Sequence, residues 1–150
     1  MAKFAQGRFA MKYPDKYVGG KTPLYRSSWE FAFMRFCDES PSISKWASEP
    51  IKIPYKHPLN GKFSVYVPDF FIAYVDKNGR QHADVIEIKP ENQTKMESVG
   101  RNRYNQAQLI INQAKWKSAR LWCKNRGFSF KVINEADIFL SLIHISEPTR

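Results

Sequence analysis

Four side chains in this sequence have the types and spacing that hydrolysis of a phosphodiester requires. Glu30 lies in Ser27-Ser28-Trp29-Glu30 and Asp69 in Val67-Pro68-Asp69-Phe70, while Glu87 and Lys89 close the run Asp84-Val85-Ile86-Glu87-Ile88-Lys89. The reaction needs charge on the phosphoryl oxygens neutralised, a water activated in line with the leaving group, and the departing alkoxide stabilised. A divalent cation serves all three needs. Mg²⁺ takes oxygen ligands in octahedral geometry and keeps several waters, so Glu30, Asp69, Glu87 and the backbone carbonyl of Ile88 form a suitable ligand set, with Mn²⁺ as a substitute. Lys89 would hold the attacking water or stabilise charge in the transition state.

Each residue also has a quieter reading. Pro-Asp is a common way to enter a turn or strand, and Glu-x-Lys also describes a solvated strand face. Ser27-Ser28-Trp29-Glu30 has the Ser-x-x-Glu form of a helix capping box, which would occupy the Glu30 carboxylate with a backbone N–H. With Ser28 as the cap instead, Glu30 falls in the first turn and is free to turn toward a metal. Spacing leaves both registers open.

Positioning these groups requires a strand pair and at least one helix. Strand geometry over residues 84–89 would put Val85, Glu87 and Lys89 on one face and Ile86 and Ile88 on the other. Residues 69–74 form a second β-rich run, and the Asn78-Gly79 turn signal between the two makes a hairpin that sets Asp69 beside Glu87. Further strands are expected at 51–55 and 62–67, completing an antiparallel meander. Trp29, Ala32, Phe33 and Phe36 recur at helical spacing, so a first helix runs from Ser27 or Ser28 to about Asp38, before Pro41. A long amphipathic helix is expected from about Arg101 to Asn125, with Gly127 as its C-terminal cap. Residues 128–133 then form a last strand, parallel to an earlier one after the helical crossover. The order is α-β-β-β-α-β in one α/β domain.

The chain has 24 Lys and Arg against 14 Asp and Glu, a net charge of +10. Such a balance favours a polyanionic partner, with DNA foremost, because Lys and Arg neutralise phosphates and release counterions. No stretch approaches the roughly 20 apolar residues of a membrane span. Cys37 and Cys123 are far apart in sequence and have no neighbouring thiols or histidines at metal-ligand spacing, which points to a reduced, cytoplasmic setting. Residues 1–22, rich in Gly, Pro and basic side chains, read as an extended basic arm, and 23–139 as the catalytic domain. Residues 140–150 match the translation of a sequencing-library adapter and are expected not to be native chain. On the long helix, Asn112 and Lys115 are candidates to face the site. Arg101, Arg103, Lys117, Arg120 and Lys124 lie on its other faces, and Trp116 and Trp122 are assigned to packing.

The Glu on the first helix, the Pro-Asp and the Glu-x-Lys strand together resemble the PD-(D/E)xK nuclease superfamily over almost the whole chain. A closer resemblance is to the head completion nucleases of T-even-type phages, through residues 22–30, Trp46-Ala47-Ser48-Glu49, Tyr66-Val67-Pro68-Asp69-Phe70 and Glu87-Ile88-Lys89-Pro90. A more distant one is to the endonuclease subunit of Tn7-like transposases, through Lys115-Trp116 and residues 130–135. The resemblance implies a restriction-endonuclease-like core and a Mg²⁺-dependent DNase with Glu30, Asp69, Glu87 and Lys89 at its site and Glu49 as an auxiliary group or an ion-pair partner. It also implies phage portal, neck or head proteins as partners, in the host cytoplasm during assembly or on the virion. The alternatives are a non-enzymatic DNA-binding neck or head protein, and the DNA-cutting partner of a transposase.

Overall fold

In the computed structural model, residues 6–89 and 102–134 are described. Arg101 and residues 135–150, with the expected adapter-derived tail among them, lie outside the described residues. In chain order the elements are Gly7–Arg8 (β1), a 3₁₀ turn over Pro14–Lys16, Leu24–Tyr25 (β2), Ser28–Glu39 (α1), Ile43–Ser48 (β3), Ile53–Lys56 (β4), Phe63–Tyr66 (β5), Phe70–Val75 (β6), Gln81–Ile88 (β7), Arg103–Asn125 (α2) and Ser129–Ile133 (β8). The main sheet has the order β3-β6-β7-β8. Its first two pairings are antiparallel and the last, β7 with β8, is parallel. That is what a crossover through α2 demands, since a tight turn joins only antiparallel neighbours. The protein is α/β, with a mixed sheet flanked by helices.

Local chemistry sets each element's ends. Ser27 caps α1 by accepting the Glu30 N–H at 3.1 Å, and Asn102 caps α2 by accepting the Asn105 N–H at 3.1 Å. At the far end of α2, Gly127 takes φ +78°, and the Phe128 N–H returns to the Cys123 carbonyl at 2.9 Å. Between β6 and β7, Gly79 takes φ +80° and the Asp76 carboxylate accepts the N–H groups of Asn78 and Arg80 at 2.8 and 3.0 Å. The turn thus fixes the register in which Phe70 faces Ile86.

Two strands of the expected meander are placed differently. Residues 51–55 and 62–67 do not extend the main sheet; they form β4 and β5, a separate two-stranded ribbon. The sheet's first strand is β3, in a stretch whose Trp46-Ala47-Ser48-Glu49 end reads as a loop. Ser44 and Lys45 are consecutive exposed positions at a shift in the β3–β6 register, which breaks the alternation, and Ser, Lys and Ala are weak strand formers. The α-β-β-β-α-β order is therefore made by α1, β3, β6, β7, α2 and β8, with the ribbon inserted after β3.

Two apolar layers sandwich the sheet. On one side Phe33, Met34 and Cys37 of α1 pack on Trp46, Phe70, Ile72, Ile86 and Ile133. On the other, Leu109, Ile111, Trp116 and Ala119 of α2 pack on Ile53, Tyr55 and Tyr66 of the ribbon, with Phe130 and Val132 beneath. Cys37 and Cys123 are free and buried. No described helix is long and apolar enough to cross a membrane.

The described part of the expected N-terminal arm, residues 6–22, is packed against the domain. Phe9 is buried edge-on between Phe31 and Trp46, and β1 pairs with β2. Asp38, 1% exposed near the end of α1, accepts the backbone N–H groups of Lys12 and Tyr13 at 2.9 and 3.1 Å. Substituting Asp38→Ala leaves both donors without their acceptor, so urea unfolding should show a loss of about 3 kcal/mol. Asp38→Asn, which keeps one acceptor oxygen, should lose less.

Candidate active site

Asp69 stands one residue before β6, where the β6–β7 ladder runs out. Its carboxylate Oδ2 accepts the Ile88 N–H at 2.8 Å, a side chain replacing the strand carbonyl that is missing there. Its own carbonyl accepts the Glu49 N–H at 2.9 Å, which ties the Pro68-Asp69 entry to the end of β3. Glu87, next to Ile88 in the chain, is 6% exposed and projects to the α2 side of the sheet. Its Oε1 accepts the Tyr66 hydroxyl at 2.7 Å, and its Oε2 lies 3.6 Å from the Lys89 ammonium. Lys89 is fixed through its backbone N–H, which donates to the Ile133 carbonyl at 2.9 Å and so prolongs the β7–β8 pairing.

Half-buried Asp69 and buried Glu87 resist being charged together. Burial first, and then the Glu87 charge, push Asp69 up to about 7, with Glu30 adding to the rise and the Ile88 N–H and Lys89 opposing it. Glu87 is also raised by burial, against the Tyr66 hydrogen bond and the charges of Lys89 and Lys115. The Tyr66 hydroxyl is held strongly protonated by burial and by the Glu87 charge, so it serves as a donor. The site is an oxygen-rich corner in which Asp69 and Glu87 are both raised, with Lys89 and Lys115 at its edge. Hard divalent cations are held by that type of donor set.

Glu30 comes from the α1 side of the sheet, opposite to Glu87. Ser27, not Ser28, is the N-cap, so Glu30 sits at the third helical position of a capping-box register. Its carboxylate accepts the Ser27 hydroxyl at 3.2 Å while its charge still reaches Asp69. Among the described residues no three His, Cys, Asp or Glu side chains are gathered tightly enough to hold a metal ion. Of the two carboxylates whose charges act on Asp69, Glu87 raises it more than Glu30 does. Glu49, at φ +47°, ion-pairs with Lys21 at 3.1 Å and Arg26 at 2.9 Å. Those contacts are ion pairs with basic neighbours, one of the two readings the sequence offers for it.

On α2, Lys115 reaches the site: its ammonium lies 5.8 Å from the Tyr55 ring centre and 5.9 Å from that of Tyr66, and its charge acts on Glu87. Asn112 is buried, Arg103, Lys117, Arg120 and Lys124 are exposed, and Trp116 and Trp122 pack in or against the core. Tyr66 is the site residue that sequence reasoning did not single out. Its place next to Glu87 depends on the ribbon crossing α2, a long-range relation with no local signal.

The TnsA-like endonuclease N-terminal family matches residues 40–135, nearly two thirds of the chain and the span from β3 through β8. The chain belongs to that family. The TnsA-like domain falls within the restriction-endonuclease-like, PD-(D/E)xK superfamily, and the mixed sheet between helices agrees with that fold. The matched span includes Asp69, Glu87, Lys89, Tyr66 and Lys115, whereas Glu30 lies before it. No curated protein matches the chain.

Proposed function

We propose that this chain is a divalent-metal-dependent DNA endonuclease in which Asp69 and Glu87 hold the cation, Ile88 adds its carbonyl, Glu30 supplies a more distant carboxylate, and Lys89 is the catalytic base or charge stabiliser. The observation that carries this reading is the Asp69–Glu87 pair, in which burial, and after it repulsion by the Glu87 charge, raises Asp69 to about 7 while Glu87 lies beside the Lys89 ammonium. A bound Mg²⁺, or Mn²⁺ in its place, would relieve that repulsion and supply Lewis-acid activation of a phosphoryl oxygen and of water. Lys89, on the same strand face as Glu87, orients the attacking water and takes up charge as the phosphorus–oxygen bond breaks. Tyr66 holds the Glu87 carboxylate in one orientation, and Lys115 adds positive charge from the helix side.

Cutting of supercoiled plasmid tests the reading. Nicked or linear product should form with Mg²⁺ and vanish with EDTA, and protein that binds DNA but never cuts it would be a binding component instead. For the biological setting, the TnsA-like match favours the DNA-cutting partner of a transposase. A role in phage head completion rests on the motifs at residues 22–30 and 66–70. Cutting that depends on a partner transposase supports the former, and unassisted cutting of duplex DNA supports the latter.

Tyr66→Phe keeps the ring in the α2 layer and removes only the donor to Glu87. The expected result is a Mg²⁺ requirement raised about tenfold or more, as for other groups that orient metal-binding side chains, with a stability loss of about 1–3 kcal/mol for the buried Glu87 oxygen left without its donor. A Mg²⁺ titration of initial cutting rate measures it.

A further inference from the structure

The ribbon β4–β5 stands apart from the main sheet and pairs with no other strand among the described residues. Its register, Ile53 with Tyr66, Pro54 with Val65, Tyr55 with Ser64 and Lys56 with Phe63, sorts its side chains to two faces. Ile53, Tyr55 and Tyr66 are buried against α2. The opposite face carries Lys52, Pro54, Lys56, Phe63 and Val65, all exposed, and Lys62 follows at the turn. Phe63 is 81% exposed, more than any other large apolar side chain among the described residues.

Residues 50–68 contain Lys52, Lys56, His57 and Lys62 and no Asp or Glu. An apolar face meant for another protein's core would not need such one-sided charge. Lysines interleaved with an exposed aromatic and a valine instead match a duplex groove, with phosphates along its walls and base edges on its floor. A two-stranded ribbon fits the major groove, where apolar side chains contact thymine methyl groups. The ribbon is also tied to the chemistry, because Tyr66 at its end donates to Glu87 at 2.7 Å. A duplex seated on the outer face therefore lies at a fixed distance from Asp69 and Glu87.

We infer that the outer face of the β4–β5 ribbon docks in the groove of the DNA duplex flanking the cut, with Lys52, Lys56 and Lys62 on phosphates and Phe63 and Val65 on base edges. The inference rests on the nuclease reading above and extends it to how the substrate is held.

Binding of the full chain to a 30-bp duplex in EDTA, across a salt series, tests the inference separately from cutting. Changing Lys52, Lys56 and Lys62 together to Gln should weaken binding at least tenfold and reduce the slope of log affinity against log salt by about 3, one unit per lost phosphate contact. Phe63→Ser should weaken binding severalfold and leave the slope unchanged. A control changing exposed Lys45, Lys77 and Lys124 to Gln removes the same charge elsewhere. Equal losses from the control and the ribbon variant would overturn the inference. So would unchanged binding by both ribbon variants, which would leave that face to a protein partner. Ribbon-dependent binding without Mg²⁺-dependent cutting would sink the nuclease reading instead.

Discussion

Replacing Asp69 by Asn should lower Mg²⁺-dependent cutting on the order of a thousandfold or more while DNA binding in EDTA is unchanged. The amide keeps an oxygen for the Ile88 N–H, so the β6–β7 end retains its hydrogen bond. What is lost is the second negative charge beside Glu87, and with it one of the two carboxylates that would hold a hard cation. The same substitution should stabilise the metal-free protein. Asp69 titrates at about 7 in the folded state against 3.8 for an ordinary Asp, so the folded protein binds the proton more tightly than the unfolded chain does. Stability contributed by that proton is full below about pH 4, declines as pH rises, and is gone above about 7. Asn carries no such penalty. Urea unfolding at pH 8 in EDTA should therefore find Asp69→Asn more stable on the order of 2 kcal/mol, with the gain shrinking to nothing near pH 4. Equal stability at both pH values would mean that neither burial nor the Glu87 charge raises Asp69 in the folded protein. Persistent cutting by the pure variant would remove Asp69 from the site.

The part of the site readable in the sequence is the part that local geometry dictates. Strand alternation puts Glu87 and Lys89 on one face, and the Asn78-Gly79 turn brings residues 69–74 against 84–88, so Asp69 and Glu87 become neighbours from spacing alone. The caps at Ser27 and Gly127 are likewise local, and both helices start or stop within about two residues of where their patterns predict. Other relations hang on distant packing. β3 is a strand because Trp46 is buried in the core under α1 and Trp46 and Ala47 pair with β6, although its Ser-Lys pair breaks the pattern. The ribbon's β4 alternates like a strand of the main sheet, and only the packing of Ile53, Tyr55 and Tyr66 against α2 shows that the ribbon belongs to a separate layer. The positions of Tyr66 and Lys115 around Glu87 follow from that same contact. Glu30 falls between the two cases: its cap at Ser27 is local, but the reach of its charge to Asp69 depends on how α1 packs on the sheet.

Lys89→Ala is expected to cut 100- to 1,000-fold more slowly, about the loss seen when one preorganised stabiliser of transition-state charge is removed. Lys89 is anchored by its backbone to Ile133 and holds its ammonium 3.6 Å from Glu87, so its side chain is aimed by strand geometry alone. Alanine leaves that backbone bond intact. The fold and DNA binding should survive, because the side chain is partly exposed and is one of 24 basic groups in the chain. Lys115 does not substitute for it. That ammonium is held over the Tyr55 and Tyr66 rings on the helix side, where it offsets the Glu87 charge without lying on the Lys89 strand. Lys89→Arg should recover only part of the rate, since a planar guanidinium presents its charge and donors in a different geometry from an ammonium. A plasmid-cutting series with the wild type, Lys89→Ala, Lys89→Arg and Lys115→Ala separates the two roles. If Lys115→Ala costs as much as Lys89→Ala, the attacking water is governed from α2, and the strand lysine only balances the charge of Glu87.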